Sequence, residues 1–134
     1  MTAAPDPTNP QLWMQRAHSN LRLAQIGRKK GVVLEDLCFN AQQAAEKAFK
    51  AICLAHNIDF PKTHSLVQLI DLLESAGVNL PEQVKAADVL TQYAVQSRYP
   101  GWVEEVTLNE YREALLLAQQ VLTWADSLLL GRKA

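Results

Sequence analysis

Residues 34–56 read LEDLCFNAQQAAEKAFKAICLAH, and this stretch decides the fold class. Its apolar residues recur at intervals of three and four, which is the spacing of one side of an α-helix. Many of them are alanines, which favour a helix and allow neighbouring helices to approach closely. The apolar side covers about half of the helix circumference, more than contact with a single neighbour requires. The pattern therefore predicts a central helix in an all-α domain, packed against several others.

Four further helices are predicted around this one, and no segment alternates as a β-strand would. They cover residues 10–30, 65–76, 81–97 and 107–130. Asn9, Ser65 and Thr107 stand where the first, third and fifth helices need an N-cap, and the last two have Gln or Glu three positions later. The buried side of the first helix is expected to comprise Trp13, Ala17, Leu21 and Ala24. Short connections favour antiparallel neighbours, so we expect an up-and-down bundle of four to five helices.

The composition describes one domain of an ordinary globular kind. The chain has 134 residues, a formal net charge of −1 and two cysteines. Cys38 and Cys53 lie roughly 22 Å apart along the predicted central helix, so they cannot pair with each other, and a reducing cytoplasm is the simple interpretation. No unbroken apolar run is long enough for a membrane span, so no membrane association is expected. We expect residues 1–9 to be a disordered lead-in and residues 10–130 to form the single domain.

His64 and Lys62 form the first candidate binding feature. They lie in the sequence FPKTHSL, immediately before the predicted helix that begins near residue 65. The amides at a helix N-terminus, with a lysine nearby, are suited to a phosphate oxygen. The alternative is that His64 only orders the loop by hydrogen bonding.

The polar side of the central helix supplies the second candidate. Glu46 and Lys50 are four residues apart in the favourable order, which predicts a solvated ion pair worth a few tenths of a kcal/mol. Gln43 and Lys47 lie on the same side. Together these side chains offer a cation, an amide and a carboxylate, so a ligand-binding groove is the functional alternative.

The third candidate is the sequence QSRYPGW, residues 96–102. An arginine fork such as that of Arg98 binds two phosphate oxygens at once, and Tyr99 and Trp102 are suited to stacking on a base. The alternative is a helix C-terminus stabilised by a cation and closed by Pro-Gly. No spacing of histidines, cysteines and carboxylates indicates a metal site, and no cofactor-binding motif is present, so neither a metal nor a cofactor is expected.

Several of these segments resemble the HEPN domain family, named for higher eukaryotes and prokaryotes nucleotide-binding. The resemblance is carried by WMQRAHSNLRLAQ, CFNAQQAAEKAFKA, FPKTHSLVQL and LTQYAVQSRYPG, in an order that extends over about residues 10–125. It implies a helical bundle that forms a homodimer. It also implies a role as the substrate- or nucleotide-binding partner of a minimal nucleotidyltransferase, in a toxin–antitoxin-like pair.

Other branches of the family are metal-independent ribonucleases that carry an arginine followed by a histidine after four to six intervening residues. Counted from Arg98, those positions hold Val103, Glu104 and Glu105, none of which replaces the histidine in acid–base chemistry. The sequence therefore favours a non-catalytic protein. Two alternatives stay open: a structural or antitoxin scaffold, and a ribonuclease that uses Arg98 with His64.

The resemblance and the residue chemistry together predict one ligand-binding surface for a nucleotide or an RNA-like phosphate. Its expected members are Lys62, His64, Arg98, Tyr99, Gln43, Glu46 and Lys47.

Overall fold

The structure is a computed structural model that describes residues 8–94 and 105–132. Five α-helices and one 3-10 helix make up the regular structure of these residues, and they contain no β-strand. The helices are α1 (Pro10–Ala24), α2 (Leu34–Ala55), α3 (Leu66–Ser75), α4 (Glu82–Lys85) and α5 (Leu108–Arg132), and the 3-10 helix is Ala86–Tyr93. The all-α prediction is confirmed. The expected lead-in, residues 1–9, falls almost entirely outside the described residues.

Helix α2 lies at the centre of the bundle. It packs most extensively against α1 and α5, and it also contacts α3 and the 3-10 helix. Fifteen of its 22 residues are buried, so α2 buries more than one face, as its broad apolar side predicts. Its alanines at positions 41, 44, 45 and 48 are fully buried, which allows the close approach of α1 and α5.

Three of the predicted helix starts are confirmed in detail. The Ser65 hydroxyl accepts a hydrogen bond from the amide of Gln68 at the start of α3. At the start of α5, Thr107 and Glu110 form a reciprocal capping box, each side chain accepting from the other residue's amide. Asn9 also caps α1, through a bond from the amide of Gln11. These ends were readable because a cap depends on residues within one turn.

Other boundaries were predicted wrongly. α1 ends at Ala24 instead of near residue 30, since Gly27 takes a φ of +82°, outside the helical region. A tertiary hydrogen bond also holds this end, because the Tyr111 hydroxyl donates to the carbonyl of Ala24. The segment predicted as one helix from residue 81 is α-helical only for a single turn and continues as the 3-10 helix.

The pattern in α1 also differs from the prediction at one position. Met14 is 3% exposed and takes the place in the core that the spacing assigns to Trp13. Trp13 is only half-buried and packs against the edge of the core. Its indole ring lies between α1 and the loop that precedes α3, where it meets the ring of Phe60 edge to face.

Helix α5 is long and apolar enough, by length and composition alone, to cross a membrane, with a mean hydropathy of 1.3 over its most apolar window. Part of this composition belongs to the shared core, where Ala118, Val121 and Leu122 are buried, but only 39% of the apolar window is buried. One such helix is weak evidence for a span, because a core helix of a bundle meets the same length and composition test.

Candidate functional site

A buried polar row runs along α2 through its otherwise apolar surroundings. Gln42, Glu46 and Lys50 are spaced by four residues, so their side chains lie one above another on the helix. Their exposed fractions are 0%, 3% and 7%, and they are the buried polar or charged residues of the described chain. Taking a charge out of water costs free energy unless the charge is paired and hydrogen-bonded. The partners of these three side chains therefore determine whether the row stabilises or destabilises the fold.

Glu46 is the centre of the cluster. Its Oε2 lies 3.0 Å from Nζ of Lys50, and its Oε1 accepts from Nε2 of Gln42 at 3.1 Å. The same Oε1 lies 2.9 Å from Nδ1 of His64 in the loop before α3. Gln42 also donates to the backbone carbonyl of His64 at 3.3 Å, so α2 holds both the side chain and the backbone of that residue. We call Gln42, Glu46, Lys50 and His64 the carboxylate cluster.

The ionised form of Glu46 is the stable one. Burial by itself raises the pKa of this carboxyl, but the hydrogen bonds from Gln42, His64 and Lys50, together with the charge of Lys50, outweigh burial and leave the pKa below its ordinary value. The prediction that Glu46 and Lys50 form a solvated pair was wrong, because their side chains are only 4% and 9% exposed. The reason is tertiary: α1 and the loop before α3 cover this side of α2, which sequence periodicity could not show.

His64 connects the buried carboxylate to the surface. Its side chain is 68% exposed although its Nδ1 contacts a nearly inaccessible oxygen of Glu46. An ionised carboxylate can only accept a hydrogen bond, so Nδ1 carries the proton and donates. Nε2 then remains available to solvent or to a ligand, on a ring whose orientation is held from beneath.

The ammonium group of Lys50 is enclosed by aromatic rings as well as by Glu46. It lies 5.9 Å from the ring centroid of Trp13 and 5.6 Å from that of Phe60. The two rings meet edge to face, with centroids 6.1 Å apart. At such distances the ring faces attract the cation, which helps to compensate for its removal from water.

A second polar group adjoins the cluster on the side of α1. Nζ of Lys47 donates to Asn20 at 2.6 Å, and Asn20 in turn donates to Asn40 at 2.9 Å. Burial lowers the pKa of Lys47, the charges of Arg16 and Lys50 lower it further, and Glu46 raises it. Burial is the largest of these causes, so the lowered pKa of Lys47 reflects first its removal from water and then the charge of Arg16.

The N-terminus of α3 is less open to a ligand than its sequence suggests. The amides of Ser65, Leu66 and Gln68 donate to the hydroxyls of Thr63, Thr91 and Ser65. Three amides that were candidates for a phosphate oxygen are therefore already hydrogen-bonded. Lys62 is exposed in the loop just before, and no ion pair joins it to a described residue.

The structure brings together some of the predicted site residues and leaves others unplaced. Glu46 and His64 are in direct contact, and Lys47 lies beside them. Gln43 is half-buried, and its Oε1 has no partner in the described part of the chain, which is also true of Oε1 of Gln42. Arg98 and Tyr99 fall in residues 95–104, outside the described residues.

Four residues at this site are absent from the ligand-binding surface predicted from the sequence: Gln42, Lys50, Trp13 and Phe60. The spacing of four through Gln42, Glu46 and Lys50 was a usable signal, because polar residues in a row within an apolar helix need buried partners. Trp13 and Phe60 carry no such signal, since an isolated aromatic is more often a core residue.

The arrangement is suited to holding an anion. Lys47, Arg16 and Lys62 add positive charge near an exposed imidazole, while the single carboxylate of the cluster is buried and neutralised by Lys50. No three His, Cys, Asp or Glu side chains of residues 8–94 and 105–132 are grouped as metal ligands would be.

The sequence matches a known family model, and the fold matches a solved structure. A family model for the HEPN domain matches residues 10–128. The crystal structure of an archaeal HEPN homologue is similar over 89% of this chain and 96% of its own, with a TM-score of 0.68 and 27% sequence identity. A search of curated proteins finds no match.

Proposed function

Since the chain belongs to the HEPN domain family, we propose that it binds the phosphates of a nucleotide or an RNA-like ligand and is the non-catalytic partner of a minimal nucleotidyltransferase. The observation that carries the proposal is the exposed imidazole of His64, fixed by a buried carboxylate beside a cluster of cations. A site of this kind offers an oriented imidazole that donates from Nε2 to a phosphate oxygen when the ring carries both protons, with positive charge around it.

Electrostatics support a phosphate at this position. The lowered pKa of Lys47 reflects burial and then repulsion from Arg16. An anion bound near both cations would offset this repulsion and favour the charged form of Lys47. Arg98 is expected to add a guanidinium fork and Tyr99 a stacking surface, as their residue types suggest. Gln43 and Lys62 complete the proposed surface.

Glu46 does not oppose this function despite its charge. It is 3% exposed, and Lys50 lies 3.0 Å from it, so a bound phosphate would face the imidazole and not the carboxylate. The pair also explains why a costly ionic group is kept in an alanine-rich helix: it orients His64 from the protein interior.

Isothermal titration calorimetry with ATP tests the phosphate site. We expect His64→Ala to weaken ATP binding about tenfold, the effect of losing one charge-assisted hydrogen bond. The matched control is His18→Ala, because His18 is another exposed histidine beside a carboxylate, 2.9 Å from Asp126 on α5. No measurable ATP binding by the unmodified protein, or equal weakening by both variants, would remove the proposed site.

The proposed protein partner has a candidate surface at the opposite end of α1. Four aliphatic side chains there are 37–53% exposed: Leu23, Ile26, Val32 and Val33. They are interleaved with Arg22, Arg28, Lys29 and Lys30, with no carboxylate between residues 22 and 33. Exposed apolar groups among charges of one sign are typical of a protein-binding surface, so we propose that the partner binds here.

This surface also supports the scaffold alternative, in which the chain binds a protein and no nucleotide. Purification of the native complex followed by mass spectrometry distinguishes the two. The proposed function requires a nucleotidyltransferase in the complex and ATP binding by this chain, whereas a scaffold requires only a protein partner. We expect Val32→Ser with Val33→Ser to release the partner and leave ATP affinity unchanged.

A ribonuclease is the second candidate, and the Glu46–His64 contact is what favours it. A carboxylate that holds Nδ1 leaves Nε2 as a proton acceptor, the arrangement used in general base catalysis. With Arg98 as phosphate ligand, it predicts cleavage of RNA in EDTA that His64→Ala abolishes. Absence of cleavage of any RNA by the pure protein would exclude it.

A further inference from the structure

His64 presents a hydrogen-bond acceptor to the surface of the free protein. Its Nδ1 lies 2.9 Å from Oε1 of Glu46, whose carboxylate is 4% exposed and can only accept. The single proton of a neutral imidazole is therefore on Nδ1, and Nε2 carries a lone pair. Because the His64 side chain is 68% exposed, Nε2 is the ring nitrogen that a ligand can reach.

The charges around His64 are balanced without a second proton on the ring. Glu46 already has a counter-charge, since Lys50 lies 3.0 Å from its other oxygen. The first turn of α3 is uncharged, and the 3-10 helix meets the start of α3 through Thr91, which is also uncharged. The other charged side chains of the described elements packed around His64 are Lys47 on α2, Arg16 on α1, and Asp59 and Lys62 in its own loop.

A phosphate oxygen cannot form a hydrogen bond with this form of the ring. An ionised phosphate oxygen and the Nε2 lone pair are both acceptors, so a proton has to lie between them. The ring cannot supply that proton by moving it from Nδ1, because the ionised Glu46 holds it there. A proton taken up by Nε2 makes the ring an imidazolium that donates to Glu46 on one side and to the phosphate on the other, and both bonds are then charge-assisted.

We propose that phosphate binding at this site takes up one proton, on Nε2 of His64, so that the ligand binds more tightly as pH falls. This inference rests on the proposed function and adds to it the regulation of the same site by pH. The proton comes from solvent, and no covalent bond of the ligand forms or breaks. Histidine is suited to the role, since it is the side chain whose charge ordinarily changes between about pH 5 and 8.

Calorimetry with ATP at pH 8, in Tris and in HEPES, counts the protons taken up. The second pKa of a phosphate group is about 6, so free ATP has lost this proton at pH 8 and the uptake reports on the protein. The buffer supplies the proton, so the heats measured in the two buffers differ by the difference in their ionisation enthalpies for each proton. We expect about one proton per ATP, and an affinity that falls about tenfold from pH 7.5 to pH 8.5, the slope of one-proton linkage.

His64→Gln is the variant that assigns the proton to this residue. The glutamine amide donates to a phosphate oxygen but does not titrate, so this variant should bind ATP without proton uptake and with an affinity that does not change with pH. His64→Ala, which keeps weaker binding, should likewise take up no proton, so the test stands even if the glutamine variant folds poorly. The matched control is His18→Gln, since His18 also contacts a carboxylate, that of Asp126 at 2.9 Å, and it should retain the full uptake.

The outcomes distinguish this inference from the proposed function. If ATP binds at no pH, the proposed function and this inference both fall. If ATP binds with equal heats in Tris and HEPES and with an affinity that pH does not change, the proton coupling is wrong and the phosphate site stands. If the uptake persists in His64→Gln and His64→Ala, another group such as Lys47 takes the proton, and the role given to His64 is wrong.

Discussion

Replacement of Glu46 by glutamine is the most direct perturbation of the carboxylate cluster. Glutamine keeps the size of the side chain but removes the charge that faces Lys50 at 3.0 Å. Lys50 then remains 7% exposed, among two aromatic rings and without a counter-charge. The variant therefore isolates the electrostatic contribution of the pair from its packing.

The expected loss of stability is about 3 kcal/mol at pH 7. Breaking a buried ion pair at one partner costs roughly 3–5 kcal/mol, and we take the lower end because glutamine still accepts a hydrogen bond from Lys50. A solvated i,i+4 pair would cost only about 0.3–0.5 kcal/mol. A buried pair and a solvated pair therefore predict losses of unfolding free energy that differ several-fold.

Urea unfolding followed by circular dichroism measures the difference. With a slope of about 2 kcal/mol per molar urea, the midpoint of Glu46→Gln should fall by about 1.5 M. Lys50→Met in the same background should recover part of the loss, because the double variant buries no unpaired charge. The control is Glu74→Gln, whose partner Lys85 also lies at 3.0 Å but whose side chain is 41% exposed, and it should change stability by less than about 1 kcal/mol.

A loss by Glu46→Gln no larger than that of Glu74→Gln would mean that the Glu46–Lys50 pair contributes no more than an exposed ion pair. Strict additivity of Glu46→Gln and Lys50→Met would refute a direct interaction of the pair, since residues in contact within one network should show coupling of about 0.5–3 kcal/mol.

Three other perturbations test separate parts of the structure. The folded-state pKa of Glu46 lies below its ordinary value of 4.5, so its ionised form contributes stability that is fully present above that pH and is lost as pH falls through the lowered pKa. When the free energy of unfolding is measured against pH, Glu46→Gln should therefore lose less stability in acid than the unmodified protein. Burial raises the pKa of the Cys53 thiol to about 11, so iodoacetamide at pH 8 should leave Cys53 intact in the folded protein and modify it in urea; rapid modification without urea would contradict its burial. Thr107→Ala should lower the free energy of unfolding by about 1 kcal/mol through loss of the α5 cap, and an unchanged urea midpoint would mean that this capping box contributes nothing.

The candidate site was only partly predictable, and individual residues show why. His64 was identified because its type and its place before a helix indicate binding chemistry, and Glu46 because of its spacing from Lys50. Their mutual contact joins residues 18 positions apart, and no local pattern reports such a distance. Trp13 was assigned to the core, since its spacing in α1 is equally compatible with the interior and with the edge of a packed helix.

What the amino-acid sequence determined by itself is the helical bundle, the central place of α2, the capped starts of α1, α3 and α5, and the family resemblance. Each of these follows from periodicity or from contacts within a turn, where the physics is local. Only the packing of the folded chain buries Glu46 and Lys50 and brings His64 into contact with that carboxylate. Burial depends on which neighbour covers a helix face, and that neighbour is chosen by the packing of the whole chain.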